Sequence, residues 1–160
     1  MLKRPVHISA ETSRVAVITA EGNIVPGDQP PGTIGGDTLA RQIRSTAEAE
    51  GVNAIVLRVN SGGGSMFASE VIREQVLYAR DLGVPFVVSM GAVAASGGYY
   101  IAMAADSIMA APTTLTGSIG IFGIVFNIGD FMANKLGITT DVVSTGNYSN
   151  YITVSRSLSE

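Results

Sequence analysis

The chain has 160 residues, 46% of them hydrophobic and 14% charged, with 19 glycines and a formal net charge of −3. That length suits one domain able to bury about two-thirds of its unfolded surface, and the charge pattern holds no basic block of the kind that attracts nucleic acid. There is no cysteine, which excludes disulfides, thiol catalysis and cysteine-based zinc clusters.

In chain order, Lys3-Arg4 is not followed by an apolar run, so no secretory signal is visible. Val15, Val17 and Ile18 predict a strand, Gly22-Asn23 a turn, and Ile24-Val25 its continuation. The Pro- and Gly-rich stretch from Pro26 to Gly36 predicts a surface loop. Asp37 reads as an N-cap for a helix over Thr38 to Glu50, in which Leu39, Ile43 and Ala47 recur at helical spacing before Gly51 stops it. Ala54 to Val59 is continuously β-prone, as expected of a strand inside a parallel sheet. The loop Ser61-Gly62-Gly63-Gly64-Ser65 leads into a helix from Met66 to Leu82, closed by Gly83 and Pro85. Pro85 to Met90 supplies the next strand, Ser96 opens a helix reaching about Ala105, and Ser107 to Ala110 returns as a strand. Thr116 to Phe126 is punctuated by glycine, Asp130 to Leu136 predicts a short helix and Thr139 to Val143 a strand.

Repeated β-α-β units predict an α/β fold with a mostly parallel sheet and a ligand site near the carboxyl ends of its strands. No linker divides the chain, so a single domain over 1–160 is expected, and the polar end from Ser155 to Glu160 reads as the edge of a longer protein. The longest apolar run, Val84 to Ala95, is interrupted by Pro85, Ser89 and Gly91 and falls short of the roughly 18 to 20 residues of a membrane helix.

Three motifs carry candidate chemistry. In Met90 to Tyr100, MGAVAASGGYY, Ser96 stands between small apolar residues and a glycine pair, where a sharp strand-to-helix turn can expose its hydroxyl. The SGGGS loop matches neither a P-loop nor an intact GxGxxG. It reads either as a tight strand-to-helix turn or as part of an oxyanion hole, with amides of Gly63 or Gly64 and of Gly97 as donors. A serine nucleophile needs a base, yet the single histidine, His7, lies near the N-terminus, which argues against a Ser-His triad. Tyr99, Tyr100, Ile101 and Met103 read as core or subunit contacts, and Phe122, Val125 and Phe126 as an oligomer interface or a substrate groove.

NSGGG at Asn60 to Gly64, MGAVAASGGYYIAMAAD at Met90 to Asp106 and TGSIGI at Thr116 to Ile121 together resemble the signal peptide peptidase A (protease IV) family, over about Val15 to Arg156. The resemblance implies a crotonase-like or Clp-protease-like α/β fold and a Ser/Lys dyad that cleaves remnant signal peptides without cofactor or metal. It also implies a homo-oligomer associated with the bacterial cytoplasmic membrane, its peptidase domain on the periplasmic or extracytoplasmic side, this piece being soluble. By position, Ser96 matches the family's nucleophile and Ser118 the serine that orients the catalytic lysine, while Gly63, Gly64 and Gly97 match the oxyanion region. Gly62 stands where the family often has proline.

The lysine is the departure. Single-repeat members carry it roughly fifty residues after the serine, which falls here in Ser144 to Asn150, a stretch with no lysine. Asn147 and Ser149 do not titrate as bases, Lys3 is terminal, and Lys135 reads as a solvated helix-end charge. A free lysine titrates near 10.4, so only about one in two thousand is neutral at neutral pH, and a catalytic one needs its pKa lowered by burial. In the two-repeat form of the family the lysine comes from the amino-terminal repeat and the serine from the carboxyl-terminal one, which TTDVVSTGNYSNYI resembles. The expected function is thus a serine endopeptidase domain whose lysine comes from another repeat or subunit, inactive by itself. The alternatives are a non-catalytic scaffold repeat and a crotonase-like acyl-thioester enzyme, for which Glu70 is the acid nearest the loop in sequence.

Overall fold

The computed structural model describes residues 13–146, 149 and 153–155; His7, Lys3 and Asn147 lie outside them. The chain divides into two compact units, Met1–Gly120 and Ile121–Glu160.

The first unit is built on a parallel sheet. Strands β1 (Arg14–Glu21), β4 (Val52–Ser61), β5 (Phe86–Ala95) and β6 (Ser107–Met109) lie in the order β1-β4-β5-β6, and β7 (Leu115–Gly117) pairs with the far end of β5. A separate parallel pair joins β2 (Ile24–Val25) to β3 (Ile34–Gly35). Helices α1 (Gly36–Ala47), α2 (Met66–Asp81) and α3 (Gly97–Ala102) connect them. The repeated β-α-β reading and the mostly parallel α/β class are therefore correct.

Alternation along the strands sets the core. Ile18 and Ala20 on β1, Ile55, Leu57 and Val59 on β4, and Phe86 and Val88 on β5 are buried against Leu39 and Ile43 of α1, Ile72 and Val76 of α2, and Ile101 of α3. On the opposite face of β1, Val15 and Val17 remain 61% and 66% exposed. All ladders being parallel, every strand in the sheet runs the same way, and the ends of β4 and β5 come to one edge together with the heads of α2 and α3.

Several boundaries differ from the sequence reading. Helix α1 starts at Gly36, capped by Gly35 without a side-chain bond, so Asp37 sits in the first turn rather than at the N-cap. Thr38, which follows it, turns its hydroxyl to Asp28 and accepts from the Gln29 amide, pinning the Pro- and Gly-rich loop instead of the helix. The helix ends at Ala47, and α3 stops at Ala102 rather than near Ala105. Strand β5 runs five residues further than expected, to Ala95.

In the second unit α4 (Gly129–Leu136) ends on Gly137 in the left-handed region, as glycine allows. Residues 139–143 form no strand. Among the described residues no helix is long and apolar enough to cross a membrane.

Candidate active site

The extension of β5 is what brings the site together. The β4–β5 ladder slips between Val59↔Met90 and Ser61↔Ala94, so β5 carries two extra residues there. Side chains hold the bulge: the Val93 amide donates to Asn60 Oδ1 at 3.2 Å, Thr114 Oγ1 donates to the Gly91 carbonyl at 2.9 Å, and Thr116 Oγ1 to the Ala94 carbonyl at 2.7 Å. Backbone groups that a regular ladder would pair are thus paired by polar side chains from β4, from β7 and from the residue just before β7.

Ser96 follows at the head of α3. Its backbone lies at φ 51° and ψ −119°, outside the left-handed helical region, and its side chain makes no capping bond. Such a conformation costs roughly 1–3 kcal/mol in a non-glycine residue and persists only where its surroundings impose it. Here the Ser96 amide donates to the Gly117 carbonyl at 2.8 Å, and the Ser96 carbonyl accepts from the Tyr100 amide at 2.8 Å. The first of these bonds places β7 beside the serine and Ser118 next in the chain. Ser96 and Ser118 are the two non-glycine residues with positive φ among the described residues, both at 51°. Ser96 is half-buried and Ser118 exposed.

The glycine turn packs directly on the serine. Gly63 has φ +103°, and a Cβ there would stand 2.6 Å from the Gly97 nitrogen and 2.8 Å from Ser96 Cβ. A Cβ on Gly97 would lie 3.2 Å from the Gly64 nitrogen and 2.7 Å from Ser69 Oγ. Any side chain at these positions would push the turn and the serine apart. The turn is itself tied to β2, since the Ile24 amide donates to the Gly63 carbonyl at 3.0 Å and the Ser65 amide to the Ile24 carbonyl at 2.8 Å. Ser65 caps α2 by accepting from the Ala68 amide at 3.3 Å.

The amides of this turn are not equivalent. Gly63 N–H donates to Ser61 Oγ at 3.1 Å, and that hydroxyl donates onward to the Gly22 carbonyl at 2.7 Å. The Gly64 and Gly97 amides have no protein partner among the bonds of the described residues. The Gly63 amide is engaged within the turn, and the other two are not. Asn60, Ser61, Thr114 and Thr116 were not singled out by sequence reasoning. Their signal is position: each stands within or next to a motif that contains a site residue.

Electrostatics near the site are dominated by Glu70. Its carboxylate accepts from Arg73 Nε at 2.7 Å, from Arg73 Nη2 at 2.6 Å and from Tyr100 Oη at 2.8 Å. The bonds from Arg73 first and Tyr100 second hold its pKa down at about 2, against a smaller opposing effect of burial. The same contact raises the Tyr100 phenol. A carboxylate so held stays ionised at neutral pH.

Among the described residues the single lysine is Lys135 and there is no histidine. Lys135 is exposed on α4, in the second unit. A cleft of about 370 Å³ opens between β1, the Pro- and Gly-rich loop and α1, lined by Thr19, Glu21, Gln29, Thr38 and Gln42 among others and by none of the residues around Ser96.

The chain is similar to known proteins. The chain is 53% identical over 131 residues to Protease 4 of Salmonella typhi, covering 82% of this chain and 21% of that protein. It is 38% identical over 144 residues to the chloroplastic serine protease SPPA of Arabidopsis thaliana, covering 87% of this chain and 21% of that one. The chain thus spans about one fifth of the length of these relatives. Among solved structures, the 1510-N membrane-bound stomatin-specific protease, in a serine-to-alanine variant, superposes with a TM-score of 0.54 at 25% identity, over 71% of this chain and 50% of that one. A family profile matches residues 78–160, just over half of the chain and inclusive of Ser96 and Ser118, and by that match the chain belongs to peptidase family S49.

Proposed function

We propose that this chain is the serine-bearing part of an endopeptidase that uses a Ser/Lys dyad, with the lysine supplied by another repeat or subunit. The observation that carries the reading is the strained Ser96, with the Gly64 and Gly97 amides beside it and Ser118 brought alongside by the Ser96–Gly117 bond. In the reaction a neutral lysine amine takes the proton from Ser96 Oγ as the oxygen attacks the substrate carbonyl. The carbonyl oxygen becomes an oxyanion and is met by the Gly64 and Gly97 N–H groups. The carbonyl re-forms as the C–N bond breaks, and the leaving amine takes the proton back from the lysinium. Water, activated by the same amine, then hydrolyses the acyl-serine. Ser118 accepts or donates a hydrogen bond that holds the lysine in line.

Alanine, glycine and valine around Ser96 suit small or aliphatic side chains of an extended peptide, which supports remnant signal peptides or other hydrophobic peptides as substrates. An oligomer at the bacterial membrane, with the site on its outer side, is the setting we assign to the intact protein.

A fluorophosphonate probe tests the reading. Reaction at Ser96 is expected to be negligible in the chain alone, to rise by several powers of ten when the lysine-bearing repeat is added, and to vanish in Ser96→Ala. No reaction with the repeat present would instead establish a non-catalytic scaffold.

A further inference from the structure

Glu70, Arg73 and Tyr100 form a hydrogen-bonded cluster between α2 and α3. Tyr100 bonds in two directions. Its amide donates to the Ser96 carbonyl at 2.8 Å and its hydroxyl to Glu70 Oε2 at 2.8 Å. Glu70 is gripped in turn by both ends of the Arg73 guanidinium, which also lies 5.8 Å from the centre of the Tyr100 ring.

The placement of these bonds matters more than their number. Gly64 immediately precedes the cap of α2, and Gly97 is the first residue of α3. An oxyanion held by both amides needs each within about 2.7–3.1 Å of one point, so the heads of the two helices must keep a fixed separation. Between them lie small groups, Ser69 Oγ against Gly97 and Ala68 in the core, which fill space without resisting a slide of a few tenths of an ångström. A directional bond between the helices one turn below their heads does resist it. As a source of stability the cluster is weak, because Glu70 and Arg73 keep 35% and 24% of their side chains exposed.

We propose that Tyr100 and Glu70 are positioning residues that set the spacing of the Gly64 and Gly97 amides, with Arg73 holding Glu70 in place; this rests on the reading of Ser96 as nucleophile. The Glu70 carboxylate, titrating at about 2, stays ionised throughout the neutral range, so the clamp is closed wherever a lysine base can work.

The test uses the enzyme assembled with its lysine-bearing repeat and a peptide substrate. Tyr100→Phe is expected to lower kcat by about 10- to 100-fold, the scale of a misplacement remote from the chemistry. KM should stay within roughly twofold, since the lost interaction belongs to the transition state. The midpoint of the pH–rate profile should not move, because the lysine is untouched. Glu70→Gln, which keeps an acceptor for the Tyr100 hydroxyl, should lose less. An unchanged kcat in Tyr100→Phe, with Ser96→Ala inactive, would overturn the clamp and leave the nucleophile standing. So would a fall in kcat that comes with a matching fall in melting temperature and a rise in KM. If Tyr100→Phe does not fold, Glu70→Gln and Arg73→Lys decide by the same kcat and KM criteria. Undiminished activity in Ser96→Ala would overturn both readings.

Discussion

At Gly63 two requirements meet in one residue. Its φ of +103° disfavours any side chain, and the space a Cβ would take is already held by the Gly97 nitrogen and Ser96 Cβ. Gly63→Ala is therefore expected to cost at least about 2 kcal/mol, roughly the penalty for positive φ with overlap added, in urea denaturation. In the enzyme assembled with its lysine-bearing repeat it should also abolish probe labelling at Ser96, because the atoms that must shift belong to Ser96 and Gly97. A loss of stability without loss of labelling would mean that the turn relaxes away from the serine. The residues alone left Gly63 and Gly64 as alternative donors and the family resemblance placed both, with Gly97, in the oxyanion region; in the structure the Gly63 amide donates to Ser61 Oγ. Nothing in a run of three glycines tells which amide is bonded within the turn, since that depends on a serine two residues away and on the Gly22 carbonyl across the fold.

Among the elements, strong periodicity was legible and tertiary pairing was not. Helix α2 and strand β4 announce themselves by spacing and β-branched content, and both lie close to where those signals put them. The end of β5 has little such signal, for apart from Val93 the residues from Gly91 to Ala95 are small and of weak β preference. They are extended because Asn60, Thr114 and Thr116 bond their backbone from outside. Residues 139–143 are the converse: β-branched, yet without a partner strand among the described residues. The α2–α3 tie makes a prediction of its own. Glu70 moves from the 4.5 of a free glutamate down to about 2, chiefly through Arg73. Its contribution to stability is complete above the free value and is lost as pH falls towards the folded one. Between about pH 5 and pH 2.5 the wild-type chain should therefore lose more melting temperature than Glu70→Gln, by a margin that shrinks in high salt. Parallel curves for the two proteins would show that the ion pair contributes nothing to the folded state.

Across the whole molecule, every described residue of the candidate site falls in the first unit, drawn from β4, the turn after it, the end of β5, the head of α3 and the end of β7. Assembly of the site is thus a property of the sheet: only when β4, β5 and β7 are in register do the serine and the two amides meet. This explains how a chain spanning 21% of the Salmonella protein can bring Ser96, the glycine turn and Ser118 into one neighbourhood. The backbone angle at Ser96 has a consequence for anyone selecting sturdier versions of this protein. Glycine adopts that angle freely, so Ser96→Gly should raise stability by about 1 kcal/mol, the strain released less the entropy glycine loses on folding. Heat selection without an activity readout would then enrich chemically silent variants at this position, and deep sequencing of a heat-selected library would reveal it as glycine displacing serine at position 96.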